Sequence, residues 1–253
     1  MQAVRLGLIG AEGRMGTALR RYVEGIEDIT VHATLEKGES FEAFIGLKPE
    51  VVVDLSLGPA VDEHAAQIVS AGLPYIVGAT GYSDDTLSRL LHLSAEHNTP
   101  VLVVPNFSLG ANLLIRFSTQ AASLMDSPVI TERHHAGKAD APSGTARFTA
   151  ERIAKGRAAS SGGTAPATAL PQCHESVAGV LGGHDHGVQL HSLRGAGYLA
   201  EQEVRFCLPG ETLCIEHRSI DRACFMPGIV YAIRNIGRVQ GFAYGLDTLL
   251  ELQ

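Results

Sequence analysis

No surplus of positive charge runs through this chain: 20 Lys and Arg stand against 27 Asp and Glu, a formal net charge of −7. No overall positive field therefore draws in nucleic acid or an anionic membrane, and an anionic ligand must be met by local cations or backbone amides. Long hydrophobic runs are missing too, since none approaches the roughly 18 residues that a membrane span needs. The opening MQAVRLGLIG turns glycine-containing before an apolar signal core forms, so a cytoplasmic protein is expected. Cysteine is sparse: Cys173, Cys207, Cys214 and Cys224 make no C-x-x-C pair. With 253 residues, 45% of them hydrophobic, the chain buries enough core to need no disulfide staples, and its cysteines are expected reduced and mostly buried.

What is present is a rhythm. Short apolar runs, VRLGLI (4–9), ITVHATL (29–35), EVVVDLS (50–56), PYIVGAT (74–80) and PVLVVP (100–105), suit strands buried on both faces of a parallel sheet. RMGTALRRYVEG, VDEHAAQIVSAG and DDTLSRLLHLSAEHN lie between them with helical apolar spacing. Strand alternating with helix predicts a doubly wound, Rossmann-like α/β domain. After Asn106 the pattern changes to a long amphipathic helix, LGANLLIRFSTQAASLM, then a strand, VITERHH. AASSGGTAPATALPQ (158–172) is expected to be a flexible loop, and VQLHSLR, EQEVRFCL and ETLCIEHRS to be strands, with a hairpin turn at PGE (209–211). This second region predicts an α+β domain with a mixed sheet, and the helical pattern GIVYAIRNI predicts that the tail returns to the first. The expected division is 1–107 with 219–253, and 108–218.

In VRLGLIGAEGRMGTALRRY, Gly10, Gly13 and Gly16 follow a predicted strand and open a predicted helix. Residues without Cβ let the chain turn tightly and let a pyrophosphate approach the helix N-terminus. The spacing is G-x-x-G-x-x-G, and a plain strand-to-helix turn is the competing explanation. Glu36, about 20 residues beyond the glycines, stands where a carboxylate accepts the adenosine ribose hydroxyls. Lys37 and Arg14 can meet a ribose phosphate, which leaves both NADH and NADPH open. GATG (78–81) ends the fourth strand at the edge where such sheets bind ligands.

The densest chemistry is HHAGKADAPSGTA, from His134 to Ala146. A histidine transfers protons near neutral pH, Lys138 carries positive charge, and Ser143-Gly144-Thr145 opens a helix whose amides and hydroxyls can hold a carboxylate. Without an arginine cluster, a dicarboxylate fits better than a phosphate. GGHDHGVQLH (182–191) holds His184, Asp185, His186 and His191, but in no zinc-like Cys/His spacing, so no metal is expected.

GAEGRMG, GATG, VPNFSLGANLL and above all ERHHAGKADAPSGTA, with the later GETLCIEHRSIDRACFMPG, resemble the 4-hydroxy-tetrahydrodipicolinate (dihydrodipicolinate) reductase family over nearly the whole chain. The resemblance implies hydride transfer from NADH or NADPH to a cyclic imine with two carboxylates, giving tetrahydrodipicolinate, in a homotetramer built by the central domain. It implies His134 as proton donor, Lys138 as the charge that stabilises the developing anion, and His135, Lys138, Ser143, Gly144 and Thr145 as carboxylate ligands. Gly10, Gly13, Arg14, Met15, Glu36, Lys37, Gly78, Thr80, Pro105, Asn106 and Phe107 would line the cofactor, with Arg222 and Phe225 near the nicotinamide. Domain closure is expected to hinge near 106–109 and 215–222. Ala136 and Gly137 stand where some members have basic residues, and AEQEV (200–204) replaces a glycine-and-histidine version. Two other readings keep the nucleotide loop: a non-catalytic NAD(P)H sensor, and a reductase of another small imine or keto acid. The first has no use for the HH-x-x-K and PSGT elements; the second changes only the carboxylate contacts.

Overall fold

β-Branched runs at the start of the chain become β1 (Val4–Ile9), β2 (Ile29–Leu35), β3 (Val51–Asp54), β4 (Tyr75–Val77) and β5 (Val101–Val103). Between them run α1 (Arg14–Val23), α2 (Phe41–Gly46), α3 (Val61–Ser70) and α4 (Asp84–His97). The chain continues through α5 (Leu109–Ala121), β6 (Val129–His134), α6 (Gly144–Ser160), β7 (Gly183–Asp185), β8 (Val188–Arg194), β9 (Ala200–Leu208) and β10 (Glu211–Ser219). It ends with α7 (Met226–Asn235) and β11 (Phe242–Tyr244). The structure, a computed structural model, describes residues 3–160 and 174–250. These elements divide into two units, Met1–Leu109 with Ala223–Gln253, and Gly110–Arg222.

In the first unit the sheet order is β11-β5-β4-β3-β1-β2, with every neighbouring pair parallel. Alternation along single strands shows why the runs read as continuously apolar. Val51 and Val53 pack with Leu19, Val23, Ile229 and Ile233 of α1 and α7, whereas Val52 packs with Phe44, Ile68 and Leu90 of α2, α3 and α4. Helices therefore cover both faces, which is the doubly wound arrangement. The tail helix fills one of those layers, as its apolar pattern predicts.

Three strands are shorter than their apolar runs. Pro74 and Pro100 have no N–H and contribute only carbonyls, to Val52 and Tyr75, each at 2.9 Å. Leu55, Gly78 and Val104 each make one last ladder bond before the chain leaves the sheet. The six-residue α2 and the three-residue β7 and β11 fall below the length at which periodicity registers.

The second unit has a five-stranded mixed sheet, β10-β9-β6-β8-β7, in which β6 and β8 are parallel and the other pairs antiparallel. Ile130, Val188, Leu190, Val204 and Phe206 turn one face to α5 and α6, where Leu114, Ile115, Ala146, Ala150 and Ile153 complete the core. The opposite face carries Arg133, Glu201, Glu203, Glu216 and Arg218. Arg133 there lies within 3.9 Å of Glu201, 3.8 Å of Glu203 and 3.7 Å of Glu216.

Two expectations need correction. Residues 158–160 belong to α6 rather than to a loop, and the rest of that expected loop lies outside the described residues, as does Cys173. The cysteines are not mostly buried: Cys214 is exposed on the outer face of the second sheet, and Cys207 and Cys224 are partly exposed. No described helix is long and apolar enough to cross a membrane.

Candidate active site

In the first unit the parallel strands bring their C-terminal ends to one edge. β1 delivers the chain to Gly10, whose φ of +77° lies in the region that favours glycine. The turn is closed by backbone bonds, Gly13 N–H to the Gly10 carbonyl at 3.2 Å and Thr17 N–H to the Gly13 carbonyl at 2.8 Å. A Cβ on Gly16 would lie 2.2 Å from the Gly10 oxygen, so α1 presses against the turn only because no side chain stands there. Gly13 caps α1 without placing a side chain over its first N–H groups. A pyrophosphate fits this arrangement: bare backbone, a helix N-terminus and an exposed Arg14 beside it.

Glu36 follows β2, and its Oε1 accepts the Glu12 N–H at 2.8 Å, which fixes the carboxylate at the rim of the glycine turn. Its own N–H donates to Glu39 Oε2 at 2.7 Å. Lys37 is exposed and Met15 half-buried. Farther along the edge, a Cβ on Gly78 would meet the Phe107 ring at 2.5 Å, so the structure brings these two together. Pro105 is half-buried, the Asn106 Oδ1 accepts the Ser108 N–H at 2.9 Å, and the exposed Thr80 offers its carbonyl to Gly58 N–H at 3.2 Å. Arg222 and Phe225 share one 3₁₀ turn; Arg222 is exposed, and Phe225 packs against the first unit's core.

Sequence reading missed a buried cluster beneath this edge. Asp54, fully buried at the end of β3, accepts bonds from Tyr75 Oη at 2.5 Å, His64 Nδ1 at 2.7 Å and Ser56 N–H at 2.9 Å. Burial pushes its carboxyl up, but the bonds from His64, Ser56 and Tyr75 outweigh it and hold the group below the usual carboxylate range.

In the second unit, β6 turns Ile130, Glu132 and His134 to one face. The Glu132 side chain is fully buried, and its Oε2 contacts Nδ1 of His134. Arg194, opposite His134 on β8, places Nη2 2.9 Å from Glu132 Oε1 and donates from the same nitrogen to the Asp140 carbonyl at 2.6 Å. Asp140 Oδ1 accepts from Lys138 Nζ at 2.7 Å. A continuous polar chain thus joins His134 to Lys138 through Glu132, Arg194 and Asp140. Burial pushes the Glu132 carboxyl up, while bonds from His134, Ser192 and Arg194 bring it down to about 2, so it stays ionised.

Past this chain, His135 is exposed and Gly144 begins α6. Ser143 is buried, and its Oγ accepts the Ala146 N–H at 3.2 Å, the geometry of a helix N-cap. Thr145 stands one residue into the helix, with its carbonyl bonded by Thr149 Oγ1 at 2.8 Å. Asp185 is held by Arg147 at 3.0 Å, and His186 occupies the β7–β8 turn. Among the described residues no group of three His, Cys, Asp or Glu is placed to hold a metal ion.

A doubly wound sheet with an unshielded glycine turn, joined in one chain to a second unit carrying a histidine–carboxylate pair, defines a pyridine-nucleotide-dependent oxidoreductase. Residues 4–107 match the family described as dihydrodipicolinate reductase, N-terminus, and residues 110–250 its C-terminus. The chain belongs to the dihydrodipicolinate reductase family. It is 40% identical over 250 residues to the 4-hydroxy-tetrahydrodipicolinate reductase of Nocardia farcinica, covering 98% of this chain and 99% of that one. Against the same-named protein of Streptomyces coelicolor it is 38% identical, over 100% of both. The dipicolinate-bound dihydrodipicolinate reductase from Paenisporosarcina superposes with a TM-score of 0.86 at 28% identity, covering 98% of this chain and 100% of that one.

Proposed function

We propose that this reductase converts 4-hydroxy-tetrahydrodipicolinate to tetrahydrodipicolinate in lysine and diaminopimelate biosynthesis, with His134 as the proton donor. The observation that carries the reading is the polar chain that joins His134 to Lys138 through the buried Glu132, Arg194 and Asp140. The cofactor, NADH or NADPH, supplies the hydride. Gly10, Gly13, Arg14, Met15 and Glu36 hold its pyrophosphate and ribose, with Lys37 at hand for a ribose phosphate. Gly78, Thr80 and Pro105 to Phe107 line the rest of the edge, with Arg222 and Phe225 toward the nicotinamide.

His135, Lys138, Ser143, Gly144 and Thr145 hold the substrate carboxylates, the helix N-terminus and the ammonium supplying the positive potential. Reduction leaves the substrate electron-rich. Lys138 stabilises that charge, and His134 gives a proton to complete the product. The dicarboxylate bound to the Paenisporosarcina protein supports this choice of ligand. The reading extends to a cytoplasmic homotetramer formed through the second unit, whose sheet has, among the described residues, no helix over one face.

A coupled assay tests the function. A synthase acting on pyruvate and aspartate semialdehyde generates the unstable substrate while NADH and NADPH oxidation are followed separately. Synthase-dependent oxidation is expected; tight cofactor binding without turnover would reject the substrate. Sedimentation equilibrium at several concentrations tests the tetramer, which a monomer mass would exclude.

A further inference from the structure

An ionised carboxylate taken fully out of water is costly unless its partners are strong and well placed, and removing one partner leaves the charge exposed to that cost. Glu132 is such a group. Its partners are Arg194 at 2.9 Å, Ser192, and the Nδ1 edge of His134. Arg194 and Ser192 come from β8 in the parallel register that sets Ser192 beside Glu132 and Arg194 beside His134. On the other side, β9 places Gln202 and Ala200, neither of them charged. Gln202 is tied away to Thr149 of α6 at 2.8 Å. The loop after β6 adds Lys138 and Asp140, already paired with each other.

We propose that Glu132 is the positioning residue of the proton donor: its buried carboxylate holds Nδ1 of His134, leaving Nε2 as the nitrogen that delivers the proton. The inference rests on His134 being that donor. In the step, the Nε2–H bond of the imidazolium breaks, the proton joins the electron-rich substrate, and the neutral ring keeps its Nδ1–H directed at Glu132. Glu132 stays ionised throughout, and Nε2 is recharged from water. Arg194 secures the carboxylate from behind and, through the Asp140 carbonyl, fixes the loop that carries Lys138. A bond between Glu132 and Arg194 alone would serve stability without touching the acid.

The test compares Glu132→Gln with His134→Gln in the full-length enzyme, measuring kcat, both KM values and the pH profile. In E132Q, kcat should fall about 10- to 100-fold, a large part of what a positioned acid supplies. Nucleotide KM should hold, and the pH profile of kcat should change shape, because the ring of the proton donor has lost its charged partner. Wild-type kcat and an unchanged profile in E132Q, with H134Q inactive, would overturn the positioning role and leave the donor in place. Full activity in H134Q would instead overturn the donor. If E132Q does not fold, nitrogen NMR of histidine-labelled wild-type enzyme decides: the His134 resonances, identified by their loss in H134Q, should show the Nδ1–H tautomer above the titration. An Nε2–H tautomer there would reject the inference.

Discussion

Gly16 has no room for a side chain, and that single restriction lets α1 press against the glycine turn to which the pyrophosphate is assigned. A methyl group there would meet the Gly10 oxygen at 2.2 Å and the Ala11 Cα at 2.7 Å, both backbone atoms that cannot step aside. Gly16→Ala should therefore cost about 1–3 kcal/mol of stability and abolish tight cofactor binding. Calorimetric titration with NADH and thermal unfolding measure the two effects together. Lys138→Ala should lower kcat/KM by about 100-fold while nucleotide affinity holds, since the lysine lies in the other unit. Steady-state kinetics with each substrate varied would show it. The residues to which the chemistry is assigned stood out in the sequence: two histidines, a lysine and a PSGT turn within one short span are hard to explain as packing. Glu132 sat in view in VITERHH, a charge at a position where strand alternation faces the core. Its meaning waited on Arg194, 62 positions later by their numbers, which only the β6–β8 register brings alongside.

Element by element, the legible parts are those whose period is long enough to count. The 14-residue α4, with its Ser83 cap and the left-handed Asn98 at its end, announces itself. A three-residue strand such as β11 does not, because what holds it is its pairing with β5 rather than any pattern of its own. β6 shows how an element sets its response to acid. The Glu132 carboxyl is held at about 2, below its ordinary 4.5. Its pairing therefore stabilises the second unit fully above pH 4.5 and is lost as pH falls toward 2. Asp54, also lowered, acts with the same sign in the first unit. Unfolding followed at pH 6 and pH 3 should show a smaller acid penalty in Glu132→Gln than in the wild type; an equal penalty would locate the acid sensitivity elsewhere. At the start of α6, Ser143→Ala removes the bond to the Ala146 N–H and should cost about 1 kcal/mol. The same change should raise the KM for the dicarboxylate, since the cap holds in place the helix terminus assigned to it.

At the scale of the whole molecule, the first unit is closed by residues from the far end of the chain. Ile229, Val230 and Ile233 of α7 enter the same core layer as Leu6, Leu8 and Leu102, and β11 adds the sheet's last strand. The helical pattern of the tail was visible in the sequence, but the closeness of its contact was not, because GIVYAIRNI looks the same whether it packs loosely or tightly. The contact is tight at Gly228, where an added Cβ would lie 1.8 Å from the Phe107 oxygen and 2.8 Å from its carbonyl carbon. Phe107 in turn lies over Gly78, so the tail helix braces the junction assigned to the cofactor. Gly228→Ala should consequently push the Pro105-Asn106-Phe107 segment outward, lower stability by about 1–3 kcal/mol and weaken NADH and NADPH alike. Lys37→Ala should differ by weakening NADPH more than NADH, because it removes only a charge near the ribose. Fluorescence titration of both variants with both nucleotides separates a displaced backbone from a lost charge. Undiminished affinity in Gly228→Ala would show that the junction holds its place without the tail.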